Sequence, residues 1–396
     1  MALLEKLVGG NHGSSFYVTG DDWQSIFSFT GADVSNILNF KDMYPQSHQF
    51  ILDTNYRSTP QILAACLNLI KHNVKKIDKE LNTHNENGQE VMIIEGTNEE
   101  DEATKIVDEI QLLQAEYPYR DIAILYRANS QSLVIEEALL KRKIPYHIEN
   151  GMTFYEKPEV KALLDYLRLI HDPNSTEGDD ALKSALFIPN RYVSRRFISQ
   201  LEEYAGSNKH LYQVLKTMPV DIPYLRNNIR NFIRLIDSMM EIKDMTEPSE
   251  MIMMLRDALN YDKWITDNNE QRPDDDLIAN LDQLQMAAAK YHDIPSLLNY
   301  TDSFREQRQG SDDGVSLMTV HKAKGLEFTV VFVIGFVDGV LPNAMGDIEE
   351  ERRVAFVGIS RAMKLLYLSY SSKHMGKAAK VSPFLAEILG KKEHGN

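Results

Sequence analysis

The sequence has little of what secreted or membrane-spanning proteins contain. Its single cysteine, Cys66, excludes an internal disulfide, favours a reducing compartment and is expected to pack in a core. No run of eighteen or more apolar residues occurs, which argues against a membrane-spanning helix. The first residues, MALLEKLVGG, lack the basic flank and long apolar region of a signal peptide. These absences predict a soluble, cytoplasmic protein without membrane contact.

The chain also has fewer basic than acidic residues. The chain has 43 lysines and arginines against 58 aspartates and glutamates, so its formal net charge is −15. This balance argues against nucleic-acid binding through the overall field, and any contact with a polyanion must therefore be local. The 396 residues and 43% hydrophobic content allow two or three domains, each with its own core.

Short apolar runs that end at polar residues predict buried parallel strands. These runs are residues 16–18, 49–52, 91–95, 122–126, 315–320, 329–335 and 365–370. Helical periodicities lie between them at residues 60–72, 102–116, 132–141 and 349–363. Strand alternating with helix predicts an α/β domain with a parallel sheet and right-handed crossovers.

The pattern changes between about residues 157 and 310, within the block that we assign to residues 151–312. Amphipathic helices follow one another there, for example at residues 160–170, 225–240 and 278–291, with hardly any strand alternation. Because strand-like runs resume at Val315, the block is predicted to be an all-helical insertion within the α/β domain.

Two polar blocks follow predicted strands, where open parallel sheets bind ligands. In residues 20–32, Gln24 is a candidate for contacting a γ-phosphate or orienting water, and Phe29 offers a ring on which a base can stack. In residues 53–58, the Tyr56 ring can stack on adenine, and the Arg57 guanidinium can neutralise charge on a transferred phosphoryl group. Taken alone, each block is also consistent with a polar surface turn.

The third block, residues 319–328, lies between two apolar runs. It combines a hydroxyl, an imidazole, two ammonium groups and a glycine that permits close backbone approach, which suits phosphate contact. Glu327 can accept a hydrogen bond from a ribose hydroxyl. The simpler interpretation is a loop with a solvated His321.

The fourth block, residues 349–362, places opposite charges within one helical turn. These charges are consistent with simple i,i+3 and i,i+4 support of a helix. Arg361, however, lies beyond the apolar stripe, where its guanidinium can reach a nucleotide. The more specific interpretation is an arginine finger.

Taken in order along the chain, the four blocks resemble motifs III, IV, V and VI of superfamily 1 helicases of the UvrD/PcrA/Rep group. Residues 123–129 resemble the intermediate motif IVa, and residues 135–155 are also similar to the family. The resemblance extends over nearly the whole chain. It implies a P-loop NTPase-like fold, with residues 1–50 as a remnant of the first RecA-like domain and residues 51–150 and 313–390 as the second. The all-helical 2B insertion would be residues 151–312, and residues 391–396 a disordered tail.

The resemblance also implies roles for individual residues. Tyr56 resembles the adenine-stacking tyrosine, Arg57 and Arg361 the two γ-phosphate arginines, and Gln24 the glutamine that links the γ-phosphate to DNA. Glu327 resembles the ribose contact, with Gly325 beside it. The positions that would face DNA are Phe29, Asn129, Thr319, His321 and Lys324. ATP with Mg²⁺ is the cofactor of the complete enzyme, single-stranded DNA and duplex junctions are its partners, and no metal ligand is predicted in this chain.

Three positions depart from the family's pattern. Trp23 stands where UvrD and PcrA commonly have an acidic residue and is more similar to helicase IV relatives. Phe29-Thr30 stands where the family commonly has Trp-Arg, so the stacking ring is kept and the basic contact is lost. Residues 189–194 occupy the place of the family's glycine-containing duplex-binding loop, which argues against that duplex contact.

The largest departure is an absence. No Gly-x-x-x-x-Gly-Lys-Ser/Thr sequence occurs, and residues 9–15, which contain three glycines, lack the lysine and indicate a turn. Without the P-loop amides, its lysine and a Mg²⁺-binding carboxylate, nothing here can cradle the β- and γ-phosphates.

We therefore expect the C-terminal part of an ATP-dependent 3′–5′ DNA helicase that acts on single-stranded DNA in replication or repair. Alone, it should bind no nucleotide tightly and hydrolyse no ATP, and it needs an N-terminal RecA-like domain in cis or in trans. The alternative is a non-catalytic DNA-binding or interaction module that complements a P-loop subunit in trans.

Overall fold

The computed structural model describes residues 17–148, 152–206, 209–269, 276–307 and 313–390. The chain divides into two compact units, Met1–Glu149 with Ser311–Asn396, and Asn150–Gly310. The predicted turn at residues 9–15, Phe16 of the first predicted strand and the predicted tail at residues 391–396 lie outside the described residues.

The first unit is built on a parallel sheet of six strands in its described residues. Across the sheet, their order is Met92–Gly96, Ala362–Ser371, Phe328–Val333, Ile122–Tyr126, Val315–Thr319 and Tyr146–Ile148. Every pairing between them is parallel, which confirms the predicted α/β class. Five strands match predicted runs. The edge strand Tyr146–Ile148 was not predicted, because three residues are too few to show a period.

Helices cover both faces of this sheet. Alternate residues of each strand point to opposite faces, so Ala123 and Leu125 belong to one core cluster and Ile122 and Ile124 to the other. The first cluster includes the helices Pro60–Ile70, Ile348–Ile359 and Pro383–Ile388, and the second includes Glu99–Leu113 and Ser132–Lys141. The remaining short elements are Asp22–Gln24, Ser28–Thr30, Ser35–Leu38, Phe40–Met43, Thr54–Asn55 paired with Asn82–Thr83, Tyr119–Asp121, Asn129–Gln131, Val320–Ala323 and Lys373–His374 paired with Lys377–Ala378.

Two of the predicted strands are wrong. Residues 17–18 and 49–52 have irregular backbone, and their apolar side chains are exposed, Leu52 by 89%. A strand needs a neighbour to satisfy its backbone groups, and neither segment is paired with another strand in the described part of the chain. A short apolar run does not specify its partner, so its sequence alone could not exclude this outcome.

The second unit is all-helical in its described residues, as predicted for the insertion. Its helices are Pro158–His171, Thr176–Phe187, Arg195–Ala205, Leu211–Thr217, Pro223–Ile242, Pro248–Leu259, Tyr261–Asn268, Leu277–Ala288 and Ile294–Gln307, with a short turn at Phe154–Glu156. Pro158–His171 buries ten of its fourteen residues, which makes it the central helix of the unit. Among the helices described in the two units, none has the length and apolar character that crossing a bilayer requires.

Glu102 is a buried carboxyl at the edge of the sheet where the strands end. It accepts hydrogen bonds from the Gly335 N–H at 3.1 Å and the Ser369 hydroxyl at 2.5 Å. Burial raises the pKa of Glu102, so the folded chain holds this proton more tightly than the unfolded chain, in which the carboxyl titrates near 4.5.

Protonated Glu102 should therefore make its full contribution to stability at a pH below its pKa in the unfolded chain. That contribution should be lost as the pH rises through the pKa of Glu102 in the folded chain. Glu102→Gln should remove this loss. Urea unfolding at about pH 4 and about pH 8 tests it, because the variant should lose less stability between the two conditions than the unsubstituted chain. Equal losses would show that ionisation of Glu102 does not oppose folding.

Candidate functional site

Arg57 is positioned by a turn that is tied to the central sheet. The Asn55 side-chain oxygen accepts hydrogen bonds from the N–H groups of Arg57 and Ser58, both at 2.9 Å. The Ser58 hydroxyl then donates to the carbonyl oxygen of Ala362 at 2.7 Å. Since Ala362 follows Arg361 in the chain, this attachment brings two arginines that are far apart in the sequence side by side.

Arg361 is a buried cation, only 1% exposed. Its guanidinium donates to the Gln24 side-chain oxygen at 3.2 Å, to the Leu326 carbonyl at 3.1 Å and to the Val357 carbonyl at 3.0 Å. Burial lowers the pKa of Arg361 to about 10, and the positive charge of Arg57 is the next cause. Across the described ranges, no carboxylate lies within ion-pair distance of Arg361. Its positive charge is therefore stabilised by hydrogen-bonded oxygens, while the carboxylates of Asp21 and Glu327 act on it only from beyond ion-pair distance.

Arg57 is a second cation beside Arg361, and the two form the arginine cluster. Its Nε donates to Glu327 at 2.8 Å, and its Nη1 donates to the Ser360 carbonyl at 3.3 Å. Tyr56 is exposed beside it, with its ring open to solvent. Gly325 has a φ of +94°, a conformation that favours glycine, in the turn before Glu327. The five residues predicted to contact the nucleotide thus lie on three segments that the structure brings together.

Gln24 is fixed by its own turn. Its amide nitrogen donates to Asp21 at 2.6 Å, which leaves its oxygen facing Arg361. The turn is anchored by Trp23, whose indole N–H donates to the Ile77 carbonyl at 3.0 Å and whose ring meets Phe356 edge-on, with centroids 5.7 Å apart. Trp23, the residue that departs from the family's pattern, is therefore part of the core and supports Gln24.

Lys324 connects the arginine cluster to a group of aromatic rings. Its Nζ donates to the Gln24 carbonyl at 2.8 Å and lies 5.0 Å above the Phe27 ring, and burial lowers the pKa of Lys324. Phe27 is 5.8 Å from Phe29 and 6.0 Å from His321, between ring centroids, and Phe29 meets His321 edge-on at 5.8 Å. Two predicted DNA-facing residues, Phe29 and His321, are thus neighbours. Phe27, which joins them to Lys324, was missed by the sequence analysis.

The other two predicted DNA-facing residues lie at the ends of neighbouring strands, Thr319 as the last residue of one and Asn129 shortly after the other. Thr319 is fully buried, and its hydroxyl accepts the Lys322 N–H at 3.4 Å, which caps the helical turn Val320–Ala323. Asn129 is half-buried at the start of the turn after Ile122–Tyr126. Tyr126 is the register partner of Thr319, so both residues lie at the same edge of the sheet. The first part of the third block, Val320–Ala323, is therefore a short helical turn, and residues 324–327 connect it to the next strand.

Glu349 and Glu350 contact different parts of the first unit. Glu349 accepts from the backbone N–H groups of residues 74 and 75 at 2.8 and 3.1 Å. Glu350 accepts from the Ser28 hydroxyl at 2.5 Å and the Ser28 N–H at 3.2 Å, and Ser28 lies between Phe27 and Phe29. The predicted i,i+4 support is present, because Glu349 also lies 3.6 Å from Arg353 of the same helix. In addition, Glu349 attaches the helix Ile348–Ile359 to residues 74 and 75, and Glu350 attaches it to the segment that carries the aromatic group.

Glu351 forms a buried ion pair with Arg127. The guanidinium donates two hydrogen bonds, Nη2 to Oε1 at 2.6 Å and Nε to Oε2 at 2.9 Å, and the side chains are 3% and 4% exposed. The carboxylate also accepts the Asn343 N–H at 2.9 Å. This pair joins the end of the strand Ile122–Tyr126 to the helix that precedes Arg361.

The described ranges contain no group of three or more histidine, cysteine, aspartate or glutamate side chains arranged to hold a metal ion.

Comparison with known proteins gives the family. Residues 50–373 match the family described as UvrD-like helicase C-terminal domain, and residues 1–45 match the one described as UvrD/REP helicase N-terminal domain. The chain is 35% identical to the ATP-dependent DNA helicase Rep of Buchnera aphidicola over 92% of its length and 59% of that protein. It is 33% identical to the ATP-dependent DNA helicase PcrA of Staphylococcus epidermidis over 97% of its length and 55% of that protein. For PcrA of Staphylococcus aureus, the identity is 33% over 94% of this chain and 54% of that protein.

The chain thus spans a little more than half the length of these relatives. The matched family region covers well over half of the chain and includes every strand of the central sheet. The chain therefore belongs to the UvrD-like helicase C-terminal domain family.

Proposed function

We propose that this chain supplies one half of the ATP site and part of the single-stranded DNA path of an ATP-dependent helicase of the UvrD/PcrA/Rep group. The observation that carries the proposal is the convergence of three distant segments: Arg361 contacts Gln24, and Arg57 contacts the carbonyl of Ser360, the residue before Arg361. The family resemblance supports movement from 3′ to 5′ and a role in replication or repair.

The residues of this site fit a nucleoside triphosphate. Arg361 is a buried cation without a carboxylate partner in the described residues, and a phosphate group is the kind of anion that would compensate it. Arg57 and Arg361 would bind phosphate oxygens, Tyr56 would stack on the base, and Glu327 would accept from a ribose hydroxyl beside Gly325. When bound with Mg²⁺, ATP supplies the free energy of phosphoryl transfer to water. The phosphate cradle and the Mg²⁺ ligands would come from an N-terminal RecA-like domain.

The same geometry offers a link between nucleotide and DNA. Gln24 contacts Arg361 through its side chain and Lys324 through its carbonyl oxygen, and Lys324 lies over Phe27. Movement of the Arg361 guanidinium would therefore be transmitted through these contacts to the rings of Phe29 and His321. The exposed Phe29 ring would stack on a base, and the buried His321 ring, which packs edge-on against it, would support it. Asn129, Thr319 and Lys324 would lie near the DNA.

ATP hydrolysis by the separated parts tests the proposal. This chain alone should show no DNA-stimulated ATPase activity above background, because it has no P-loop. Addition of a separately produced RecA-like domain that carries the P-loop should restore DNA-stimulated hydrolysis and unwinding, with that domain alone as the control. Robust turnover by this chain alone would contradict the proposal. DNA binding without any restored ATPase activity would favour the non-catalytic module instead.

A further inference from the structure

Glu350 is an acidic residue to which neither the proposed nucleotide site nor the proposed DNA path assigns a role. It lies in the first turn of the helix Ile348–Ile359. Its carboxylate accepts two hydrogen bonds from Ser28, one from the N–H at 3.2 Å and one from the hydroxyl at 2.6 Å. Ser28 begins the short turn Ser28–Thr30, which carries the exposed ring of Phe29. Glu350 is therefore attached to the turn that presents the proposed stacking ring.

The turn Ser28–Thr30 is capped from a distant part of the chain. Phe27 occupies the capping position, but its ring has no hydrogen-bond acceptor and cannot cap the turn. Glu350 supplies the acceptor instead, because its carboxylate takes the Ser28 N–H as well as the hydroxyl. The direction of the backbone at Phe29 is therefore set in part by Glu350.

The helix relates this turn to the arginine cluster. Gln24 contacts Arg361, two residues beyond the end of the helix, whereas Ser28 contacts Glu350 in its first turn. The helix Ile348–Ile359 has twelve residues, which is about 18 Å at a rise of 1.5 Å per residue. All of its residues from 351 to 359 are buried, and a closely packed interior resists compression. The helix thus holds the Ser28 contact at a fixed distance from Arg361.

The charge of Glu350 argues against direct contact with DNA. A carboxylate beside a strand of phosphates repels it, so a negative group next to a stacking ring opposes binding unless it has another role. Support of the helix N-terminus by negative charge does not single out Glu350 either. Glu349 provides the same charge in the same turn, but it accepts hydrogen bonds from residues 74 and 75. The contact with Ser28 is what distinguishes Glu350.

We propose that Glu350 is a positioning residue for DNA binding, which holds the turn Ser28–Thr30 so that the Phe29 ring meets a base. The inference rests on the proposed function, because it requires Phe29 to stack on single-stranded DNA. Loss of the carboxylate should weaken stacking on bases. It should not weaken the attraction of phosphates, because no basic side chain is removed.

Fluorescence anisotropy with a labelled oligothymidine of about ten nucleotides tests the proposal on the purified chain, with an abasic strand of equal length as the matched ligand. Glu350→Ala should bind oligothymidine about fivefold more weakly than Glu349→Ala does, an effect typical of a lost hydrogen bond. Both variants lose the same charge from the same helical turn, so they should bind the abasic strand equally. Ser28→Thr keeps the hydroxyl and the N–H and should bind as the unsubstituted chain does.

The complemented helicase provides a second measurement. Glu350→Ala should raise the single-stranded DNA concentration that gives half-maximal ATPase stimulation by about fivefold, and it should change the rate at saturating DNA far less. The reason is that the buried part of the helix still holds Arg361 in place. A larger effect on the rate than on this concentration would show that the substitution disturbs Arg361, and it would overturn the positioning role.

A double-variant cycle shows whether Glu350 acts through the ring. In the Phe29→Ala background, Glu350→Ala should cost little further affinity for oligothymidine, because no ring remains to be positioned. Additive losses, or equal binding by the two glutamate variants while Phe29→Ala binds more weakly, would overturn the positioning role and leave the proposed DNA path intact. Unchanged binding by Phe29→Ala would contradict the path itself, and the positioning role with it.

Discussion

Replacing Arg361 by alanine should lower the DNA-stimulated ATPase rate of the complemented helicase by about 10³-fold or more. A guanidinium aimed at the transferred phosphoryl group stabilises the charge that develops there, and under the proposed function Arg361 would do so while the Gln24, Leu326 and Val357 oxygens hold it in place. Steady-state ATPase rates at saturating single-stranded DNA measure the effect. Arg361→Lys keeps the charge but not the planar fork, so it should recover only part of the rate.

Arg352→Gln is the matched control for Arg361. Arg352 lies on the preceding helix and pairs with Glu387 at 2.7 Å, away from the residues assigned to the nucleotide. Its loss should lower the unfolding temperature and leave the ATPase rate of the folded protein within a few-fold of the original. Similar rate losses for both variants would show that Arg361 acts only through stability.

Replacing Arg127 by alanine should lower the free energy of unfolding by about 3–5 kcal/mol, the usual effect of leaving one buried charge without its partner. Glu351 would remain buried and would keep the hydrogen bond from the Asn343 N–H, but it would lose its positively charged partner. Urea unfolding of the purified chain measures the change. Replacing both partners by apolar residues, Arg127→Met with Glu351→Leu, should recover most of the loss.

The ion pair between Arg120 and Asp313 provides the exposed counterpart. Its atoms are 3.1 Å apart, but both side chains are open to solvent. Arg120→Ala should therefore change the free energy of unfolding by less than about 1 kcal/mol. If the Arg127 and Arg120 variants lost equal stability, burial would not be what makes the Arg127–Glu351 pair important.

The parts of the fold that the sequence could predict are those set by local periodicity. The strand Ile122–Tyr126 was predicted to the residue, because five consecutive apolar side chains are buried on both faces of a parallel sheet. The same signal misled at residues 49–52, where an apolar run has no partner strand in the described residues. Periodicity shows which side chains avoid water, but it does not name the segment that covers them.

The residues of the candidate site were predicted from the order of the motifs, whereas the contacts between those residues were not. The resemblance singled out Arg57 and Arg361. Nothing in either motif reveals that the hydroxyl of Ser58, the residue after Arg57, donates a hydrogen bond to the carbonyl of Ala362, the residue after Arg361. Likewise, Glu350 looks like helix-surface charge, and its contact is Ser28, 322 residues away. Such contacts arise only when the sheet is assembled, so no local pattern encodes them.

The point at which the helical unit interrupts the α/β unit has a consequence for how the chain can be built. The strand before the interruption, Tyr146–Ile148, and the strand after it, Val315–Thr319, are hydrogen-bonded neighbours, with Tyr146 opposite Val315. The Val315 N–H even donates to the Pro145 carbonyl at 2.9 Å. Because the pair is parallel, the chain leaves at Ile148, opposite Leu317, and returns at Val315, opposite Tyr146, so the two points lie on neighbouring strands only two residues apart along the sheet. The sheet therefore requires only that the inserted polypeptide cross back over this short distance. A large helical body can be accommodated, enlarged or reduced at this edge while the register of the strands that position the arginines stays the same.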